Sequence, residues 1–256
     1  MRDAEQTRIA LITGGSRGLG RSMVLHLAER GVDIIFTYRA AAAEASKVRE
    51  RIRSLGRKVV ALPLDVTDTE KFDAFARSVS GELERTWGRH QFDYLVNNAG
   101  VSMHAGVFET TEAQLDEVYN VNFKGPLLLT QRLLPLIVDG GRILNVSSGL
   151  ARMTIPGSGV YGAMKAGLET LTRYMAKELG ARKITANIIA PGAIATDFSG
   201  GMVRDNPEVN KMVASMTALG RAGLPDDIGG AVAMLLAPES GWINGQRIEV
   251  SGGMGL

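Results

Sequence analysis

The sequence predicts a doubly wound α/β fold, a parallel seven-stranded sheet with helices on both faces. Short apolar runs alternate with longer amphipathic stretches along the chain, and successive strand–helix units of this kind build parallel sheets. Runs such as Ile34-Ile35-Phe36 and Tyr94-Leu95-Val96 are wholly apolar, as expected for strands covered on both sides. A chain of 256 residues that is 45% hydrophobic can bury one large core, so we predict a single domain over residues 1–256.

The elements follow one another between glycine, proline and polar turn residues. The first strand ends at a glycine-rich turn, and the first helix ends at Gly31. The alanine-rich segment 40–45 begins the second helix. Strands are predicted at 8–13, 32–38, 58–63, 92–97, 142–148, 183–189 and 246–250. Helices are predicted at 18–30, 42–55, 68–87, 111–136, 158–180, 203–216 and 226–237.

Composition argues against several classes of function. The net charge of +2 is too small to indicate nucleic acid or an anionic membrane as a partner. The chain has no cysteine, which excludes disulfides and thiolate chemistry and suits a reducing cytoplasm. Residues 1–7 are polar and lack a signal-peptide core, and the longest apolar stretch, 127–138, is interrupted and too short to span a bilayer. We therefore expect a soluble cytoplasmic protein.

A glycine-rich turn joins the first strand to the first helix. It reads Thr13-Gly14-Gly15-Ser16-Arg17-Gly18-Leu19-Gly20, with the spacing Gly-x-x-x-Gly-x-Gly. Such glycines let the backbone approach a pyrophosphate, and the helix N-terminus that follows favours anions. The alternative is that they serve only the turn, because glycine tolerates positive φ. The spacing matches neither the general dinucleotide fingerprint nor the nucleotide triphosphatase loop.

Three further side chains suit proton transfer to a carbonyl oxygen. Tyr161 and Lys165 are four residues apart on a predicted helix and share a face. The ammonium is expected to lower the pKa of the phenol towards the range useful for acid–base catalysis. Ser148 follows an apolar strand and can hydrogen-bond a carbonyl oxygen. A Tyr-x-x-x-Lys pair alone is common on helices; Tyr174 and Lys177, on the same helix, have the wrong spacing and no such serine.

Together these motifs resemble the single-domain branch of the short-chain dehydrogenase/reductase family. The resemblance runs from about Arg8 to the end of the chain and implies a Rossmann-like fold and an NAD(P)-dependent enzyme acting on CH–OH or C=O groups. The chain looks most similar to 3-oxoacyl-carrier-protein reductase-like carbonyl reductases. The motifs that carry the resemblance are the glycine spacing, Asn97-Asn98-Ala99-Gly100, Ser148, Tyr161-x-x-x-Lys165 and Pro191-Gly192.

The resemblance implies a catalytic tetrad of Asn122, Ser148, Tyr161 and Lys165. In this scheme Tyr161 donates the proton and NADPH the hydride, while Ser148 orients the carbonyl. Lys165 binds the nicotinamide ribose and lowers the phenol pKa. In the family the asparagine holds a water through a local break in its helix, and Gly125-Pro126 weakens helical continuity here.

The predicted cofactor is NADP(H) in preference to NAD(H). The second strand ends Phe36-Thr37-Tyr38-Arg39, without the carboxylate that binds the adenosine ribose in NAD-preferring relatives. Arg39 and Arg17 can instead pair with a 2′-phosphate, although both could be merely solvated. Asp33 lies at the wrong end of this strand and is expected to be solvated. The implied cofactor-binding residues are Gly14, Ser16, Arg17, Gly18, Leu19, Gly20, Arg39, Asp65, Val66, Asn98, Tyr161, Lys165, Pro191, Gly192, Ile194 and Thr196.

Residues 197–220 occupy the position of the family's substrate lid, with Gly200-Gly201 as a hinge. Apolar side chains there and after Ser148 predict an apolar carbonyl substrate, unless they form only the ordinary buried face of a lid helix. His104 could line the same cleft. The apolar set comprises Leu150, Met153, Ile155, Phe198, Met202, Val203, Met212, Val213 and Met216.

Relatives that act on carrier proteins dock an acidic carrier through two basic positions. Arg182 matches one of these positions, but the other is Asp139, which reverses the charge. The reversal favours a small free ketone, a β-keto ester or an acyl-CoA-like substrate over one bound to a carrier protein.

We therefore predict an NADPH-dependent oxidoreductase that reduces a ketone or β-keto substrate to a secondary alcohol, with Tyr161 as general acid. The alternatives are a 3-oxoacyl-[acyl-carrier-protein] reductase, a sugar or alcohol dehydrogenase working oxidatively, and a dinucleotide-sensing regulatory protein without turnover. No metal site is expected, because the three histidines lack ligand spacing. Relatives are usually tetramers, so the resemblance also implies a homotetramer.

Overall fold

The computed structural model describes residues 7–256, in which seven parallel strands form one sheet, as the sequence predicts. The order is β3-β2-β1-β4-β5-β6-β7, and every neighbouring pair is parallel. Strands β1 to β3 extend the sheet to one side and β4 to β7 to the other, so the strand order reverses between β1 and β4. Ligands of such sheets bind at the carboxyl ends of the strands beside this point. The strands are β1 (Ile9–Ile12), β2 (Asp33–Tyr38), β3 (Val59–Pro63), β4 (Phe92–Asn97), β5 (Ile137–Val146), β6 (Thr185–Pro191) and β7 (Arg247–Val250).

Nine α-helices lie in the described part of the chain. They are α1 (Gly18–Glu29), α2 (Ala42–Ser54), α3 (Phe72–Trp87), α4 (Glu112–Tyr119), α5 (Gly125–Leu133), α6 (Gly159–Glu178), α7 (Met202–Asp205), α8 (Pro207–Ser215) and α9 (Pro225–Leu235). A π-helix, Asn120–Lys124, joins α4 to α5. Within residues 7–256 no helix has the length and apolarity to cross a membrane. The polar segment 1–6 lies outside the described residues.

Two buried clusters cover the two faces of the sheet. One packs α1, α2 and α9 on the sheet through residues such as Leu27, Ile52 and Val232. The other packs α3, α5 and α6 on the opposite face through residues such as Phe72 and Leu133. Each such fully buried side chain stabilises the fold by about 1.5–3 kcal/mol. Burial on both faces explains why the strands are continuous apolar runs rather than alternating ones.

Two predicted elements differ from the structure. β5 begins at Ile137 rather than at residue 142, because Asp139-Gly140-Gly141 continue the strand past a register shift opposite Phe92 and Tyr94. The single helix predicted over 203–216 is wrong: Asn206, with φ −103° and ψ 111°, separates α7 from α8. Pro207 disfavours a helical conformation at the preceding residue, and the Asn206 side chain caps α8.

The prediction of a solvated Asp33 is also wrong. This residue is only 4% exposed at the start of β2. One carboxylate oxygen accepts from the backbone N–H of Lys58 at 2.9 Å, and the other accepts from the indole N–H of Trp87 at 2.8 Å. Asp33 therefore fastens β2 to the start of β3 and the end of α3, far from the carboxyl edge of the sheet.

Candidate active site

The four predicted catalytic residues come together at the carboxyl edge of the sheet. Ser148 follows β5, Tyr161 and Lys165 lie in the first two turns of α6, and Asn122 lies in the π-helix. Tyr161 is 6% exposed, Lys165 is 4% exposed and Asn122 is fully buried. The Lys165 ammonium lies 5.7 Å from the centre of the Tyr161 ring and donates to the carbonyl oxygen of Val146 at 2.9 Å. The end of β5 thus holds the lysine beside the phenol.

The expected lowering of the Tyr161 pKa by Lys165 is not found. Burial raises the pKa of Tyr161 to about 12, and hydrogen bonding with Ser148 opposes that shift. Burial also lowers the pKa of Lys165 to about 8. At neutral pH the phenol is therefore protonated, which is the form that can donate a proton.

Asn122 connects the π-helix to the segment after β4. Its amide nitrogen donates to the carbonyl oxygen of Val101 at 2.9 Å, and its amide oxygen accepts from the Val101 N–H at 3.3 Å. A side-chain carbon at Gly100 would lie 3.0 Å from that amide oxygen and 3.6 Å from the Lys165 ammonium nitrogen. The absence of a side chain at residue 100 therefore leaves space between the two groups, and the predicted break in the helix is present as a π-helix.

The glycine turn is anchored from β4. The Thr13 hydroxyl accepts from the backbone N–H groups of Asn98 and Ala99, both at 2.9 Å. The Asn98 amide nitrogen donates to the carbonyl oxygens of Thr13 at 2.8 Å and Gly14 at 3.2 Å. Gly14 has φ +68° and Gly18 has φ +53°, a left-handed conformation that favours glycine at both positions. In this structure the Asn98 side chain holds the turn, and its contact with adenosine stays a prediction.

The residues around this turn fit a phosphate-rich dinucleotide. The Arg17 side chain does not cap the N-terminus of α1, and the first turn holds no acidic residue, so among the described residues this end suits an anion. Arg17 and Arg39 are both exposed at this edge. Hydrogen bonds from Thr67, assisted by the nearby Arg39, hold the pKa of Asp65 below its usual value. Thr196 lies across the crevice, 3.9 Å from where a side chain on Gly18 would begin.

The predicted lid, residues 197–220, begins beside Tyr161. Ser199, Gly200 and Gly201 have φ values of +55°, +67° and +80°, a left-handed turn that two glycines adopt without strain. The Phe198 ring lies 6.3 Å from the Tyr161 ring, tilted by 55°. Among the predicted apolar residues of the lid only Val213 is buried. Exposed members, which a substrate could cover, are Phe198, Met202, Met212 and Met216.

Comparison with known proteins decides the family. A family model described as enoyl-(acyl carrier protein) reductase matches residues 14–255. The hydroxynaphthalene reductase-like protein Arp2 of Metarhizium brunneum is 35% identical, covering 96% of this chain and 94% of that protein. The chain belongs to the short-chain dehydrogenase/reductase family. It is an NAD(P)-dependent oxidoreductase acting on C=O or CH–OH groups.

Solved structures of short-chain dehydrogenases/reductases have the same fold as this enzyme. The promiscuous reductase LugOII, which catalyses keto-reduction at C1 during lugdunomycin biosynthesis, superposes with a TM-score of 0.92 and 35% identity, covering 97% of this chain and 98% of that one. The angucycline C-6 ketoreductase LanV with bound NADP superposes with a TM-score of 0.91 and 33% identity, covering 97% and 95%.

Sequence reasoning missed two kinds of site residue in this short-chain reductase. The Val146 carbonyl holds Lys165, and a backbone acceptor leaves no trace in a sequence. The Thr13 hydroxyl, whose residue stands in the quoted turn, holds that turn through a tertiary contact with the segment after β4. Glu169 lies four residues after Lys165 on the same face of α6, where its spacing could have drawn attention. It accepts from the hydroxyl of Ser147, the residue before Ser148, at 2.6 Å.

Proposed function

We propose that the enzyme uses NADPH to reduce a ketone to a secondary alcohol, with Tyr161 as general acid and residues 1–256 acting as one catalytic domain. The observation that carries the proposal is the protonated, buried phenol of Tyr161 beside Ser148 and Lys165 at the edge of the crevice. A regulatory protein that only senses a dinucleotide has no need for a buried acid, a lysine and a serine in this arrangement.

Each residue has a role in this mechanism. NADPH, when bound, supplies the hydride to the carbonyl carbon. The Ser148 oxygen accepts from the N–H of Leu150 at 3.2 Å, which leaves its own proton to donate to the carbonyl oxygen. Tyr161 gives its proton to the oxygen as charge develops there. Lys165, held by Val146, stabilises the phenolate that remains, and Asn122 would hold a water in the space beside Gly100 through which the phenolate regains its proton.

The preference for NADPH over NADH rests on charge. Arg17 and Arg39 present two guanidinium groups near the end of β2, where no carboxylate follows the strand. Guanidinium groups match a 2′-phosphate in charge and geometry. The structure of LanV, a relative of this enzyme, holds bound NADP. The remaining predicted contacts of the cofactor are Ser16, Leu19, Gly20, Asp65, Val66, Asn98, Pro191, Gly192 and Ile194.

The proposed substrate is a fused-ring aromatic ketone. Phe198 offers an aromatic face beside Tyr161, and the exposed side chains of Met202, Met212 and Met216 add adaptable apolar surface to the same predicted lid. The relatives support this class, since they include a tetrahydroxynaphthalene reductase and an angucycline ketoreductase. His104 would lie at the rim, because it is exposed and packs against Gly157 in the segment between Ser148 and α6.

A carrier-bound substrate is less well supported. Arg182 matches a basic docking position, but its guanidinium donates to Asp139 at 2.8 Å and to the carbonyl oxygens of Leu134 and Ile137 at 3.1 and 2.6 Å. The side chain is thus committed to the connection between α5 and β5.

The proposed assembly is a cytoplasmic homotetramer, paired through α5, α6, α9 and β7. Light scattering that shows a monomer would refute it.

The test is NADPH oxidation, with NADH in parallel, across fused-ring ketones and quinones, small ketones, β-keto esters and acyl thioesters. The product should be the secondary alcohol, with the fused-ring ketones turned over most efficiently and NADPH preferred. Tight NADPH binding without turnover of any carbonyl would contradict the proposal and favour the sensing alternative. Preference for acyl thioesters would favour the carrier-reductase alternative.

A further inference from the structure

A chain of charged groups joins the catalytic strand β5 to the C-terminal strand β7. Glu169 Oε1 accepts from the Ser147 hydroxyl at 2.6 Å and from Arg247 Nε at 2.7 Å. The two terminal nitrogens of Arg247 donate to Glu249 at 3.0 Å and to the backbone oxygen of Ser148 at 3.4 Å. Ser147 is 3% exposed, and the side chains of Glu169 and Arg247 are 13% and 22% exposed. A largely buried guanidinium thus contacts the main chain of the residue that presents its hydroxyl to the carbonyl.

The same strand also holds the far end of the segment around Ser148. Arg152, just after the turn Gly149–Ala151, donates to the second oxygen of Glu249 at 3.0 Å. Residues 147–152, which we call the serine segment, are therefore fastened to β7 at both ends. Glu169 and Arg247 hold the start of the serine segment, and Glu249 with Arg152 holds its end.

The energetics indicate that this network serves geometry more than stability. Removing a carboxylate and a guanidinium from water carries a large desolvation cost, and apolar side chains of similar volume are often as stabilising. A guanidinium, however, presents its donors in a rigid planar fork, and here three of them reach acceptors on three different residues. The contact of Arg247 with the Ser148 carbonyl oxygen, at 3.4 Å, restricts the peptide plane next to the serine side chain.

We propose that Glu169 and Arg247 are positioning residues, which hold the serine segment so that the Ser148 hydroxyl points at the substrate carbonyl. This role rests on the proposed function, because it assigns the two residues to the same carbonyl reduction. It also explains why Glu169 lies on the face of α6 that carries Tyr161 and Lys165: one helix holds the acid and, through Glu169, orients the serine.

The test measures kcat and NADPH affinity separately in Arg247→Met, Arg247→Lys and Glu169→Gln. Misplacing Ser148 should lower kcat about ten- to a hundredfold in Arg247→Met, while the Kd of NADPH, read from its fluorescence, stays within about twofold. Arg247→Lys should not restore kcat, since a lysine keeps the charge but loses the fork. Glu169→Gln keeps the shape of the side chain and, like Arg247→Met, should lower kcat. Arg173→Gln and Glu178→Gln, exposed residues of the same helix, are the matched controls.

Coupling between the residues gives a second readout. Because Glu169 and Arg247 act on the serine segment as one unit, the double variant should lose little more than Arg247→Met alone. Folded variants with wild-type kcat would overturn the positioning role and leave the proposed function intact. Equal losses in kcat and in NADPH affinity would also overturn it, since they indicate general loosening. A wild-type enzyme that reduces no carbonyl would overturn both proposals.

Discussion

The catalytic end of the crevice and the lid are built in opposite ways. Tyr161, Lys165 and Asn122 are at most 6% exposed, and each lies on a helix packed against the sheet. In the lid, Met202 and Met212 are 55% and 54% exposed. The residues that we propose to perform the chemistry are thus held by the fold, whereas those that we propose to select the substrate are held mainly by the predicted lid itself.

An ion pair within the predicted lid connects the two sides of its hinge. Arg204 pairs with Asp197, which precedes the left-handed turn, and with its neighbour Asp205. The first of these ion pairs spans the predicted hinge at Gly200-Gly201. These groups are largely exposed, and exposed ion pairs contribute little to stability. A lid with exposed apolar side chains and a weakly held hinge is suited to close over an apolar ligand. The comparison predicts that changes at the catalytic end affect rate and changes in the lid affect substrate choice.

The largest expected effect is from Lys165→Met. The variant loses the ammonium that stabilises the Tyr161 phenolate, and kcat should fall about a thousandfold, within the range for acid–base catalysis. Lys177→Met on the exposed face of the same helix is the matched control and should keep wild-type kcat. A Lys165→Met enzyme with more than a tenth of wild-type kcat would contradict the expectation that changes at the catalytic end affect rate.

The same variant should be more stable at neutral pH. Burial lowers the pKa of Lys165 from 10.5 to about 8, so below pH 8 the folded protein bears the full cost of a buried charge, about 3 kcal/mol. Between pH 8 and 10.5 the unfolded chain holds the proton that the folded chain has released, and the free energy of unfolding therefore rises with pH. Thermal melts should show Lys165→Met above wild type at pH 7, with the difference shrinking towards pH 10.

Asn122→Ala should lower kcat about a hundredfold, as expected when a proton relay is lost. It also removes two buried hydrogen bonds to Val101, which should cost about 1–3 kcal/mol of stability. Asn120→Ala, in the same π-helix, should leave kcat near wild type. A full rate in Asn122→Ala, measured on the folded fraction, would remove the asparagine from the catalytic group.

Arg39→Ser should weaken NADPH binding about tenfold and leave NADH binding unchanged, because a charge-assisted bond to the 2′-phosphate is lost. Arg53→Ser, an exposed arginine of α2, is the control. Titration of both nucleotides by fluorescence gives the result. If both affinities fell equally, Arg39 would act on the fold of the crevice and not on the phosphate.

The smallest expected effect lies in the lid. Phe198→Ala should raise KM for fused-ring ketones about three- to tenfold, from loss of an aromatic contact, and leave KM for small ketones unchanged. Met234→Ala, an exposed apolar residue of α9, should change neither. An equal effect on small and large ketones would mean that Phe198 supports Tyr161 rather than the substrate.

The parts of the molecule that are buried in the fold were also those that the sequence predicted best. The central strands were predictable because they are apolar runs covered on both faces, whereas β7 alternates charged and apolar residues and is only partly buried. Helical spacing predicted that Tyr161 lies beside Lys165, and the family resemblance supplied Asn122. The break at Asn206 had a signal in Pro207, but a hydrophobic pattern continues across it. The start of β5 reads as a turn through Gly140-Gly141, and only pairing with β4 makes it a strand.

The electrostatics of the site were less predictable than its positions. Sequence places Lys165 next to Tyr161, yet the pKa of the phenol depends on how far both are removed from water. The burial of Tyr161 and Lys165 and the contact of Lys165 with the Val146 carbonyl depend on tertiary structure. The hydrogen bond between Glu169 and Arg247, which are 78 residues apart, does so as well. Asp33 was misread for the same reason, because its two partners come from other elements.

The most direct test of the account is a single turnover of enzyme saturated with NADPH, mixed with the best ketone and followed by loss of nicotinamide absorbance. Tyr161→Phe should slow this step at least about a thousandfold with unchanged NADPH affinity, while Tyr174→Phe, an exposed tyrosine of the same helix, should match wild type. Hydride transfer in Tyr161→Phe at a rate close to that of wild type would contradict the central claim that the buried phenol is the acid.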